Sequence, residues 1–337
     1  MGTGLALALA AALAFAFTNG IHDASNSIAA LVATRAARPA QALALAAVCT
    51  IAGPLLAGSA VADTVGGIVD LGQGAAIAVI GSGLLAAVAW NTGTWALGLP
   101  SSSGHALVGG LVGAALVVGG VGAVQWGGIE GWRPVGAVGT LIALAVSPLL
   151  GALGADAAVR GLLRLGRRAT RRWQAPSFAG EWVLSGALAF SHGANDAQKS
   201  VGVVAALLVA SGHLSGGHAP TWVALACGVA LTLGTAMGGW RIVRTIGRRI
   251  FRLHPLDAVA SQATSAGVIL AASWLGAPVS TTQVVASSIV GVGAGRRRVR
   301  HLRWTIVRRM AFAWLATLPA TGVLGAATVL VWRGGSP

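Results

Sequence analysis

The sequence predicts an all-α polytopic membrane protein built from two inverted-topology repeats, with broken helices and two re-entrant helical hairpins. Three observations carry that prediction. First, hydrophobic residues make up 55% of the 337, charged residues only 9%, and mean hydropathy is +0.77; soluble domains carry about 25% charge. Second, apolar stretches long enough for a ~30 Å hydrocarbon core recur along the chain, without the alternation of a membrane β-barrel. Third, one polar motif occurs twice, as Asn19-Gly20-Ile21-His22-Asp23-Ala24-Ser25-Asn26-Ser27 and as Ser191-His192-Gly193-Ala194-Asn195-Asp196-Ala197-Gln198-Lys199-Ser200. Gly20 falls on Gly193 and Asp23 on Asp196, an offset of 173 positions. Two copies half a chain apart indicate duplication.

The elements follow in order. A first span over 3–34, interrupted by the motif at 19–27, is followed by Arg35 and Arg38. Its apolar beginning lacks a basic leader and runs straight into the motif, so it reads as a retained span rather than a cleaved signal. Apolar runs at 40–62, 75–97, 104–123 and 134–155 complete a first repeat, 1–155. A basic linker over 156–178 carries Arg160, Arg164, Arg167, Arg168, Arg171 and Arg172. The second repeat, 179–337, opens with a span at 180–211 interrupted by the second motif. A run at 220–239 leads to Arg241, Arg244, Arg248, Arg249 and Arg252. Runs at 257–275 and 281–295 end at Arg296, Arg297, Arg298, Arg300 and Arg303, before a last span at about 310–332. The 50 glycines suit close helix packing in lipid. Cys49 and Cys227 lie within apolar runs and read as packing residues, not as a disulfide or metal pair.

The net charge of +15 would suggest nucleic acid in a soluble chain. Here the arginines sit in connecting segments and report orientation instead, so no nucleic-acid partner is expected. With the arginine clusters in the cytoplasm, the spans at 3–34 and 180–211 run in opposite directions and both termini lie outside. Asp63-Thr64-Val65-Gly66 matches Arg244-Thr245-Ile246-Gly247 at an offset of 181, acidic in one copy and basic in the other. Opposite orientation predicts that inversion of charge.

A second pair of motifs lies between apolar runs: Gly98-Leu99-Pro100-Ser101-Ser102-Ser103-Gly104-His105 and Gly276-Ala277-Pro278-Val279-Ser280-Thr281-Thr282-Gln283, offset by 178. Gly and Pro end one helix, and the hydroxyl residues cap the next. Uncharged tips of this kind suit re-entrant loops meeting near mid-membrane, where irregular backbone survives only against a cavity. Two facing helix N-termini, each worth about half a positive charge, make an anion site suited to a tetrahedral oxyanion. Ser101, Ser102, Ser103, Ser280, Thr281 and Thr282 are the candidate ligands; an ordinary capped hairpin is the plainer alternative.

The chain has eight acidic residues, and Asp23 and Asp196 sit within apolar spans. An ionised group there costs at least ~2.5 kcal/mol and points to function. A carboxylate repels an anion but suits a cation, and Asn26 and Asn195 add neutral oxygen of the kind hard cations take. A buried cap on a broken helix is the alternative. Lys199 is the sole lysine; touching substrate and neutralising Asp196 are both open to it. His22, His105 and His192 are open to proton shuttling or plain packing. No metal-ligand spacing and no nucleophile–base arrangement is visible, so neither an enzyme nor a cofactor is expected.

At these residues the chain resembles the PiT inorganic phosphate transporter family. Gly-Ile-His-Asp-Ala-Ser-Asn-Ser and Gly-Ala-Asn-Asp-Ala-Gln-Lys-Ser look like its duplicated signature, and the Pro100 and Pro278 motifs like its hairpin tips. The resemblance implies a cell-membrane carrier, usually a homodimer, that imports inorganic phosphate by symport with Na+ or H+. It implies phosphate among both tips, Asn26, Asn195 and Lys199, with the coupling cation, such as Na+, beside Asp23 and Asp196 and near Asn195 and His22. His22 stands where the family usually has Asn, which favours proton coupling. The short Arg-rich linker, in place of a long hydrophilic loop, points to a bacterial-type low-affinity permease. Sulfate or another oxyanion is the alternative cargo.

Overall fold

The computed structural model describes residues 2–165, 174–216, 218–237, 250–251 and 253–334. Arg167, Arg168, Arg171 and Arg172 of the expected linker and the cluster Arg241, Arg244, Arg248, Arg249 and Arg252 lie outside them.

The described chain is helical almost throughout. Helices α1 (Thr3–Ala33), α2 (Pro39–Leu56), the short α3 (Ala60–Gly66), α4 (Gln73–Ala96), α5 (Ser103–Gly119) and α6 (Gly136–Leu165) come first. They are followed by α7 (Gln174–His192), a π-turn (Gly193–Ala197), α8 (Gln198–Ala210), α9 (Thr221–Met237), α10 (Pro255–Trp274), α11 (Thr281–Gly295) and α12 (Trp304–Gly334). Among the described residues, six helical stretches are long and apolar enough to cross a bilayer: α1, α2, α4, α5 together with the 3-10 turn that extends it to Ala123, α6 and α12. The expected run at 40–62 divides into α2 and α3 around Gly58, whose φ of +81° suits a residue without Cβ. Helix α6 continues past 155 to Leu165. One feature lies outside the all-helical reading, a small antiparallel hairpin between β1 (Gly128–Glu130) and β2 (Arg133–Val135).

The expected interruption of the first span is absent: α1 is helical from Thr3 to Ala33. The second motif is not a break either, but one π-turn inside a continuous helical run. Neither motif contains proline, and Asn26, Asn195 and Asp196 bond Thr282, Ser273 and Thr281 on other segments. The side chains therefore do not compete for their own helix's backbone, which is how such residues usually break a helix.

The two halves pack by exchange. Helix α12 lies against α4 and α5, while α6 lies against α10 and α11. Helix α1 packs on α4 and α9, and α7 packs correspondingly on α10 and α2. The closest approaches repeat at the offsets seen in the sequence. A Cβ on Gly20 would fall 1.9 Å from the Leu231 carbonyl oxygen, and one on Gly193 would fall 2.1 Å from that of Thr50. Gly193 is Gly20 shifted by 173, and Leu231 is Thr50 shifted by 181. Glycine is the only residue that permits backbones this close.

Helices α1 and α7 run antiparallel: Thr34 bonds Glu181, the Ser27 carbonyl accepts from Ser185, and Asp23 approaches His192. Two apolar clusters result. One surrounds α4 and α5, the other α10 and α11, and α1 contributes to both. The motifs lie where the clusters meet.

Candidate functional site

Asp23 and Asn26 stand on one face of α1 because they are three residues apart. Asn26 Nδ2 donates to Asp23 Oδ1 at 2.8 Å and lies 3.2 Å from Thr282 Oγ1 and 3.4 Å from Thr281 Oγ1. Across from them, the π-turn and the start of α8 present Asp196 and Lys199. The Lys199 ammonium donates to Asp196 Oδ1 and to the Val279 carbonyl oxygen. The tip of α11 closes the cluster. Thr281 Oγ1 reaches Asp196 Oδ2 at 2.7 Å and Asp23 Oδ2 at 3.3 Å, and Thr282 donates to Asp23 Oδ1. Three segments distant in sequence thus meet on two carboxylates.

Every one of these side chains is buried, with Asp23 2% and Asp196 1% exposed. Two like charges at this depth repel strongly in a medium of low dielectric, so compensation is required. Lys199 supplies one positive charge against Asp196. Of the two roles open to it, neutralising Asp196 is therefore realised in this geometry. His192 Nε2 lies 3.1 Å from Asp196 Oδ2 and 3.7 Å from Asp23 Oδ2, between the two carboxylates. With His192 neutral, the cluster retains one net negative charge. Asp23, His192 and Asp196 also offer three ligand atoms all within 4.8 Å of one another, a constellation able to hold a cation.

Not every candidate residue joins the cluster. Asn195 turns to its own half's tip: Nδ2 donates to the Ala277 carbonyl at 3.0 Å and to Ser273 Oγ at 3.1 Å, while Oδ1 accepts the Val279 amide at 3.1 Å. His22, the residue at the matching position, does the same for the other tip. Its Nε2 lies 3.1 Å from Thr94 Oγ1 and 3.4 Å from Ser101 Oγ. Both residues are tethers between a motif helix and its hairpin. Ser101 also bonds Thr94 at 2.9 Å. Ser102 and Ser280 act as N-caps of α5 and α11, accepting the amides of His105 and Gln283. His105 Nδ1 lies 2.7 Å from that same Ser102 hydroxyl, so its ring is occupied at the cap. Ser103 is buried at the start of α5.

The first tip nevertheless approaches the cluster through its backbone. A Cβ built on Gly104 would lie 3.6 Å from the Lys199 ammonium. Lys199 therefore stands between the two tips, touching Val279 of one and facing Gly104 of the other. On the motif helices, Asn26 Oδ1, Ser27 Oγ and Ser200 Oγ are buried without a hydrogen-bond partner among the described residues. Buried polar atoms are almost always paired, so these three point to a polar ligand. Ser27 and Ser200 are also counterparts at the 173 offset.

The sequence marks His192 only as a motif histidine open to proton shuttling or packing, not as a partner of both carboxylates; its counterpart in the first copy is Asn19, so the duplication does not highlight it. The available signal was spacing: His192 precedes Asp196 by four residues, one helical turn.

Comparison with known proteins identifies the family. The model of the phosphate transporter family matches residues 19–179 and again 177–325. A probable low-affinity inorganic phosphate transporter of Rhizobium meliloti (strain 1021) is 41% identical, over 92% of this chain and 91% of that protein. A protein of the same description from Bacillus subtilis (strain 168) is 38% identical, over 92% of this chain and 91% of its own length. The fold is similar to that of a solved structure described as the sodium-dependent phosphate transporter, with a TM-score of 0.85 and 24% identity, over 99% of this chain and 100% of that one. With two matches that together span most of the sequence, the chain belongs to the phosphate transporter family, and it is a multi-pass membrane protein.

Proposed function

We propose that the protein imports inorganic phosphate by symport with Na+ or H+, across the cell membrane. The observation that carries the reading is Lys199, buried between the two hairpin tips and paired with Asp196 beside Asp23. Phosphate binds between the tips, its oxygens taken by Lys199, Asn26, Ser103, Thr281, Thr282 and the free amides at the start of α5 and α11. Ser101, Ser102, Ser280 and Asn195 hold those tips in shape. The coupling cation binds at Asp23, Asp196 and His192, where one negative charge is left over while His192 is neutral, with His22 and Asn195 setting the tips around it.

The energetics require coupling. Each negative charge moved against an inside-negative potential costs about 2.3 kcal/mol per 100 mV. Divalent phosphate therefore needs at least two co-transported positive charges before the potential ceases to oppose entry, and the residual charge at the carboxylates accommodates one of them.

The transport cycle follows from an inverted repeat, with segments 1–155 and 179–337 joined by the basic linker at 156–178. The antiparallel course of α1 and α7 and the exchanged packing of the last helices support it. Helix α11, with 15 residues, spans only about 22 Å, short of a ~30 Å core, which supports a re-entrant second hairpin. Both termini lie outside and the arginine clusters inside, and the carrier works as a homodimer. Uptake of labelled phosphate into proteoliposomes under imposed Na+ or H+ gradients, with sulfate as competitor, tests the reading. Uptake independent of both gradients overturns it, and full competition by sulfate reassigns the cargo to oxyanions at large.

A further inference from the structure

Among the described residues, a matched pair of apolar grooves lies on the flanks, outside the motif cluster. The larger, with a volume of about 700 Å3, runs between α4 and α12 and is walled by Trp90, Thr94, Leu97, Leu99 and Phe312. The smaller, about 500 Å3, runs between α6 and α10 past Ile142, Val146, Leu275 and Ala277. They are counterparts. Leu97 and Leu99 become Leu275 and Ala277 at the 178 offset, and Phe312 and Ala316 correspond to Ile142 and Val146, 170 positions earlier. One difference separates them. Arg308 and Arg309 line the first groove, whereas their counterparts are Val138 and Gly139.

We propose that the α4–α12 groove is a binding site for one anionic phospholipid, with an acyl chain along the apolar wall and the phosphate on Arg308 and Arg309. Three facts carry this. The volume lies in the ~300–1,000 Å3 range of pockets that bury a small ligand. Both arginines are exposed and neither is paired with a carboxylate among the described residues. Their charge is not demanded by the architecture, because the counterpart groove forms without it. Arginine beside an apolar groove in a membrane helix complements a lipid phosphate, while a zwitterionic headgroup gains less from it. The site also touches the transport machinery. Thr94, in the groove wall, is the residue that bonds both His22 and Ser101 of the first tip, so a seated chain packs against the root of that tip.

The full chain, purified in detergent, is titrated with phosphatidylglycerol or phosphatidylcholine and read by native mass spectrometry. Wild type is expected to retain one phosphatidylglycerol in preference to phosphatidylcholine. The R308Q/R309Q variant should bind phosphatidylglycerol on the order of 30-fold more weakly and leave phosphatidylcholine unchanged. Ala316→Trp, which fills the groove, should lower retention of both lipids. Unchanged phosphatidylglycerol retention in R308Q/R309Q overturns the proposal. So does a shift from dimer to monomer in that variant with lipid retention intact, which would give the face to a second copy of the chain.

Discussion

The hydroxyl of Thr281 bridges the two halves of the molecule: its Oγ1 lies 2.7 Å from Asp196 Oδ2, and the same atom lies 3.3 Å from Asp23 Oδ2. Thr281 belongs to a hairpin tip, and the carboxylates belong to motif helices that run in opposite directions. Movement of the tip therefore changes how both carboxylates are satisfied. In the proposed symport, that link is what would couple an anion at the tips to a cation at the carboxylates.

Removing the bridge should cost transport more than folding. Thr281→Val keeps the side chain's shape and deletes a hydrogen bond to a charged group, worth ~1.5–3 kcal/mol. The apparent KM for phosphate, measured by uptake into vesicles, should rise at least tenfold, and Thr281→Ser should restore it. Equal KM values for wild type and Thr281→Val would detach the tip from the site.

The two aspartates should differ in what their loss does to stability. Asp23→Asn and Asp196→Asn are both expected to abolish uptake. Asp196→Asn additionally leaves the Lys199 ammonium buried without its partner, a situation that costs about 3–5 kcal/mol. Its thermal midpoint in detergent should therefore fall well below that of Asp23→Asn. Adding Lys199→Met should recover the midpoint without recovering uptake. Identical midpoints for both single variants would contradict the buried pairing.

Much of this was legible beforehand, for reasons that differ by residue. Asp23, Asp196, Asn26 and Lys199 stood out because polar groups inside apolar runs are expensive, and the offset of 173 paired them. The N-caps Ser102 and Ser280 followed from Gly-Pro breaks ahead of hydroxyl clusters. The uninterrupted course of α1 was not legible, since whether Asn and Ser break a helix depends on partners in distant segments. The β1–β2 hairpin was hidden because its six paired residues sit in a Gly- and Trp-rich connection without alternation.

His22 supplies a test of the tether interpretation. Because Asn195 performs the matching task with an amide, His22→Asn should keep uptake within about twofold at neutral pH. His22→Leu, which leaves the Thr94 and Ser101 hydroxyls without this partner, should reduce it by tenfold or more. Uptake assays of both variants in parallel decide the matter. If His22→Asn abolished uptake while His22→Leu spared it, the tether role would be wrong.

The crossings at Gly20 and Gly193 should tolerate no side chain. A Cβ at either position overlaps a backbone carbonyl of the partner helix, and overpacking of this kind costs typically 1–3 kcal/mol or more. Gly20→Ala and Gly193→Ala are expected to lower the yield of monodisperse protein on size-exclusion chromatography. Gly74→Ala, at a position with open space around it, should leave that yield unchanged.

The central claim is that a cation at Asp23 and Asp196 drives phosphate between the tips. Its most direct test is labelled phosphate uptake into proteoliposomes with wild type and Asp23→Asn, under an inward Na+ gradient, an inward H+ gradient, or neither. The account predicts accumulation under one gradient, none without a gradient, and none with Asp23→Asn. Equal accumulation by wild type under all three conditions, or accumulation by Asp23→Asn to the wild-type level, would contradict it.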